Sequence, residues 1–175
     1  MRYAAFLRAV NLGKNRRVTN DRLKKLFEEA GAQEVATFRT SGNVVFEASR
    51  DMARALEKHL EQALGHEMVI FLRTERELAE MAAAEPFPAK DLARSKGKLQ
   101  VALFERKPAA AVRRQVLALA TDEDRLAFGK RELYWLPSGG IMESGLDRKA
   151  LDALIGPTTL RTKGTVEQLA SKYFG

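Results

Sequence analysis

One order of elements, written twice, constrains this 175-residue chain more than any other feature. In the first half, YAAFLRAV (3–10) reads as a short apolar strand bounded by Asn11 and Gly13. NDRLKKLFEEAG follows as a helix with Asn20 at its N-cap, Leu23, Leu26, Phe27 and Ala30 on one face, and Gly31 as its stop. EVATFRT (34–40) and NVVFEA (43–48) read as strands joined by a tight hairpin at Ser41-Gly42. Asp51 to Leu64 carries Leu56, Leu60 and Leu64 at helical spacing before Gly65, and EMVIFLR (67–73) reads as a buried strand. The order is βαββαβ.

Thr74-x-x-Glu77 has the form of a capping box and opens a connecting helix through Ala84, which Pro86 and Pro88 terminate. After it the pattern returns. KLQVALFER (98–106) is a strand, and Pro108 fits the first position of a helix reaching about Ala120. RLAFG (125–129) and ELYWL (132–136) pair across Lys130-Arg131. Leu146 to Ile155 is a helix stopped by Gly156-Pro157, TLRT (159–162) a short strand, and Thr165-x-x-Gln168 the cap of a last helix to Tyr173. The expected fold is α+β: two tandem ferredoxin-like α/β plaits (βαββαβ twice), with a connecting helix and a C-terminal helix. The expected boundaries are 1–84 for the first plait and connecting helix, 85–97 for a linker, and 98–175 for the second plait and last helix. A single mixed sheet with helices on one face competes with this arrangement, but identical order on both sides of a Pro-rich stretch favours duplication.

Composition narrows the function. A 45% hydrophobic content supports a core, and the absence of cysteine removes disulfides, zinc fingers and thiolate catalysis. The apolar run at the N-terminus is too short for a signal peptide, and no stretch approaches the roughly 18 apolar residues of a membrane span. A soluble, cytoplasmic protein with no membrane partner is expected. The net charge of +7 favours encounter with polyanions, although basic residues on solvated helix surfaces also account for solubility.

In a βαββαβ unit with strand order 4-1-3-2, the loop leaving strand 1 and the hairpin between strands 2 and 3 share one edge of the sheet. Arg8, Asn11, Gly13, Lys14, Arg16, Arg17, Arg39, Ser41, Gly42 and Asn43 therefore converge, next to the start of the first helix. Glycines admit a ligand to the backbone, helix-terminal amides donate, and guanidinium groups supply charge, a set that suits a phosphate or carboxylate. The same Asn, Gly and Ser are also ordinary turn residues, and no Walker A spacing occurs. A second candidate site joins Ser138, Gly139 and Gly140 with Arg161 and Lys163, because strands 3 and 4 of the second unit end at a common edge.

AAFLRAVNLGKNRRV followed by TSGNVVFE resembles the signature of the bacterial family called domain of unknown function 1697. The resemblance runs over essentially the whole chain and includes Ala84-Glu85-Pro86-Phe87-Pro88 and Arg131-Glu132-Leu133. It implies a pair of α/β plaits and transfers no activity. The chain departs from the family pattern at Ala9, where glycine is usual. It departs again at Arg161-Thr162-Lys163-Gly164-Thr165, where Arg-Asn-Trp-Asn-Thr is typical.

Other chemistry is thinly represented. His59 and His66 sit among surface-type residues without metal-ligand or triad spacing. Of Tyr134 and Trp135 one is expected in the core, the other towards an open sheet face; strand NVVFEA lacks the aromatic pattern of an RNA-recognition motif. No metal or cofactor is expected. The leading expectation is a protein binding an anionic ligand, a phosphate-containing molecule or nucleic acid, at the basic edge of the first plait. An enzyme acting on a phosphorylated small molecule, or a structural self-association module, are the alternatives.

Overall fold

The computed structural model of the chain describes residues 1–9, 18–39 and 42–175. It is a mixed α+β protein with two four-stranded antiparallel sheets and, among the described residues, seven α-helices. The chain divides into two compact units, Met1–Ala79 with Leu169–Gly175, and Glu80–Gln168. No described helix is long and apolar enough to cross a membrane.

In the first unit β1 (Arg2–Ala9), α1 (Asn20–Glu29), β2 (Gln33–Thr37), β3 (Asn43–Glu47), α2 (Ala53–Leu64) and β4 (Met68–Thr74) give the strand order β2-β3-β1-β4. Alternation along the strands directs Tyr3, Ala5, Leu7, Val44, Phe46, Ile70 and Leu72 to the helix side. There they pack with Leu23, Leu26 and Phe27 of α1 and Leu56 and Leu60 of α2. Phe46 anchors this core, stacked on Tyr3 at 5.6 Å and met edge-on by Phe27 at 5.5 Å. On the other face Ala4, Phe6, Val45, Phe71 and Arg73 are buried as well.

Several ends differ from expectation by a residue or two. Thr19, not Asn20, caps α1: its hydroxyl accepts the Arg22 N–H at 3.2 Å, which leaves the Asn20 amide for another partner. Thr74 and Glu77 form the expected box, with Thr74 N–H donating to Glu77 Oε2 at 2.9 Å and Glu77 N–H to Thr74 Oγ1 at 3.2 Å. This box opens α3 (Glu75–Ala83). The stretch 85–97 contains a short helix, α4 (Ala89–Arg94), whose buried Asp91 pairs with Arg125 at 3.0 Å. Its proline-rich composition hides the turn, because Pro88 stands at the N-cap of α4, where a missing N–H costs the helix nothing.

The second unit repeats the pattern with β5 (Gln100–Leu103), α5 (Ala110–Leu117), β6 (Asp124–Phe128), β7 (Glu132–Pro137), α6 (Arg148–Ile155) and β8 (Thr159–Thr162), ordered β6-β7-β5-β8. Ala102, Phe104, Val116, Leu133 and Leu151 form its core. Ala109 is the N-cap of α5, so Pro108 lies just outside the helix and not at its first position. The last helix, α7 (Lys163–Phe174), begins two residues before Thr165. Thr162 caps it by accepting the Thr165 N–H at 3.2 Å.

The two repeats share a detail absent from the element pattern. Leu72-Arg73-Thr74 closes β4, and Leu160-Arg161-Thr162 closes β8. Arg73 pairs in register with Ala4 of β1, Arg161 with Val101 of β5, and both arginines are buried. Each donates from NH1 to the carbonyl of the leucine before it, at 2.9 and 2.8 Å. Each is followed by a threonine whose hydroxyl caps the next helix.

Candidate anion-binding site

The end of β1 and the start of β3 meet at one edge: Phe6 pairs with Asn43, and Leu7 N–H donates to Gly42 O at 2.9 Å. Gly42 has φ +77°, the conformation for which the hairpin needs glycine. Asn43 is 1% exposed and donates from Nδ2 to Phe38 O at 3.0 Å, while Phe38 N–H donates to Asn43 O at 2.9 Å. That pairing closes the hairpin from within and gives the buried Asn43 amide a structural role.

Arg39 is exposed and, unusually for a residue with a Cβ, left-handed at φ +58°. Its carbonyl accepts the Asn20 side-chain N–H at 2.7 Å, which ties the start of α1 to the hairpin. Its guanidinium carbon lies 5.4 Å from the centre of the Phe38 ring. Arg8 is exposed at the end of β1, in register with Val69. Arg22, in the first turn of α1, donates to Ala63 O near the end of α2 at 3.1 Å and so serves that helix's negative end. Of the expected set, the structure thus brings Arg8, Arg39, Gly42 and Asn43 to one edge. Asn11, Gly13, Lys14, Arg16, Arg17 and Ser41 lie outside the described residues.

Residues from the far end of the chain join this edge. Lys172 Nζ lies 5.8 Å from the Phe38 ring centre and 5.3 Å from that of Tyr173. Tyr173 meets Phe38 edge-on at 6.2 Å and donates its hydroxyl to Thr37 O at 3.3 Å. Arg2 donates from NH1 to Tyr173 O at 2.7 Å. Nothing local in SKYFG signals this role, since the contact spans well over a hundred positions of sequence.

Topology carries β7 and β8 to a common end beside the start of β5, and the cations of the second candidate set are engaged by other groups of the fold. Lys163 N–H donates to Leu99 O at 2.8 Å, and Lys96 N–H to Ser138 O at 3.0 Å, so both segments reach the start of β5. The Ser95 hydroxyl donates to Pro137 O. Lys163 Nζ is engaged by Ala82 O at 2.7 Å and Glu167 at 2.9 Å. Arg161 NH1 donates to Thr159 Oγ1 at 2.7 Å, and burial lowers its pKa to about 10. Tyr134 and Trp135 are both buried, with neither ring turned outward. Trp135 Nε1 donates to Asp124 at 2.8 Å. Burial raises the pKa of Tyr134, and so does Glu132, which accepts its hydroxyl at 3.3 Å. Among the described residues no His, Asp and Glu group is placed to hold a metal ion.

Residues 1–134 match the family model described as "Protein of unknown function (DUF1697)". No curated protein matches the chain by sequence. Among solved structures it is similar to the conserved bacterial protein SP0830 from Streptococcus pneumoniae, with 19% identity, a TM-score of 0.72, and coverage of 98% of each chain. At that identity the likeness concerns the fold alone.

Proposed function

The chain belongs to the DUF1697 family, and from that premise we propose that it is a cytoplasmic protein that binds a phosphate-bearing ligand at the hairpin edge of its first unit. In this reading each unit is a ferredoxin-like α/β plait. The observation that carries the proposal is Arg39: exposed, left-handed, and fastened by its carbonyl to the start of α1. A turn chosen for stability alone would favour glycine at that φ, whereas an arginine supplies charge at a conformational cost. Arg8 and Lys172 add positive charge at the same edge, and the first turn of α1 adds amide donors.

Binding of fluorescein-labelled oligonucleotides and of inorganic pyrophosphate tests the proposal. Arg39→Gly removes the guanidinium while relieving the backbone, so folding is retained and affinity falls by roughly tenfold or more. Arg113→Ala on α5 leaves affinity unchanged. Equal effects of the two substitutions would replace a site with diffuse attraction.

A further inference from the structure

Beside β2 and β3, and sharing Lys172 and Tyr173 with the contacts of Phe38, is a groove of about 670 Å³, a size usual for small-molecule sites. Arg2, Lys24, Glu34, Glu47, Lys172 and Tyr173 line it, all from the first unit. Its charges are not equivalent. Arg2 is held by Glu47 at 3.1 Å, and Lys24 lies 4.0 Å from Glu28, which also lines the groove. Lys172 and Glu34 make no ion pair among the described residues. Lys172 rests on the Phe38 and Tyr173 rings. Glu34 is exposed and left-handed at φ +49°, at the bulge where the register of β2 shifts between Gln33 and Ala36.

A ligand complementary to this groove needs an anionic group for Lys172, a flat apolar part for Tyr173, and hydrogen-bond donors for Glu34. A simple polyanion fails the last condition, because Glu34 repels it. We infer that the groove takes one nucleotide, free or as part of a single strand, with its phosphate at Lys172, its base against Tyr173 and an exocyclic amino group donating to Glu34. The inference deepens the anion-binding proposal and rests on it. Carboxylates accept from base amino groups, and aromatic rings stack on bases of any kind. A duplex keeps its bases stacked on one another, so stacking against Tyr173 requires an unpaired base.

Short labelled strands of A, C or U, and free AMP, CMP and UMP, provide the probes. The wild-type protein is expected to bind A and C, which carry amino groups, more tightly than U. Lys172→Ala weakens all three by roughly tenfold. Glu34→Gly suits the left-handed backbone, and it abolishes the preference for A and C without weakening U. A persistent preference in Glu34→Gly, or unchanged affinity in Lys172→Ala, overturns the inference. If Arg39→Gly nevertheless loses binding, the anion-binding proposal survives that failure; if the wild type binds no strand and no nucleotide, both fall. Calorimetry with AMP distinguishes the sources. Affinity comparable to the strand assigns a free nucleotide, strand-only binding assigns nucleic acid, and either result supports the groove as the site.

Discussion

Arg39, Gly42 and Asn43 stand close together in the chain, and each answers to a different force. Gly42 is required by backbone geometry, and a β-branched replacement at φ +77° is strained whatever space surrounds it. Asn43 is required by hydrogen bonding: its buried amide satisfies Phe38 O. Asn43→Ala is therefore expected to cost about 1 kcal/mol in urea unfolding, through the part-buried Phe38 carbonyl deprived of this donor. Its anion affinity stays at the wild-type value wherever the protein is folded. Arg39 carries a guanidinium at a φ where glycine is favoured, which is why its removal is the informative test of binding. An Arg39→Gly protein at least as stable as wild type would show that the arginine is kept against local stability.

At the scale of elements, helix starts and close backbone approaches do most to fix the design. Thr74 and Glu77 satisfy each other's amides at the start of α3. Thr74→Val removes the hydroxyl acceptor and is expected to cost about 1 kcal/mol, measured by thermal or urea unfolding. Gly97 shows the second kind of constraint. A Cβ there would lie 2.2 Å from Gly139 O and 2.8 Å from Pro137 O, where Lys96 already bonds to Ser138 O. Gly97→Ala must push backbone apart, and a loss of about 1–3 kcal/mol is expected in the same measurement. Gly97 is thus explained by packing against the 137–139 backbone, whereas a Cβ at Gly145 would meet nothing within 4 Å. β2 is an edge strand, and its bulge at Glu34 and Val35 disrupts the flat template that strand-to-strand self-association needs.

For the molecule as a whole, the +7 charge raises the encounter rate with any polyanion, so binding at low salt alone decides nothing. The salt dependence does. Each phosphate contact contributes about 0.7 to 0.9 to the slope of log K against log salt. Arg39→Gly is expected to lower the slope by about that amount for a single strand, about 0.7. Arg113→Ala, whose guanidinium is engaged 5.1 Å from the Phe128 ring in the second unit, is expected to leave it unchanged.

The element order and both sheets' central pairings were legible in the sequence because they rest on short-range physics. Apolar period, glycine stops at Gly31 and Gly65, and a capping box at Thr74 act within a few residues of chain. Helix starts slipped at Thr19 and Thr162 because neighbouring polar residues compete for one role, and only the folded backbone selects between them. That Asn43 closes the hairpin from within could not be read from the sequence, which carries no measure of burial. Lys172 and Tyr173 were invisible for the opposite reason. Their meaning lies in Phe38 and Thr37, and contact between segments so distant in sequence exists only after the chain has folded.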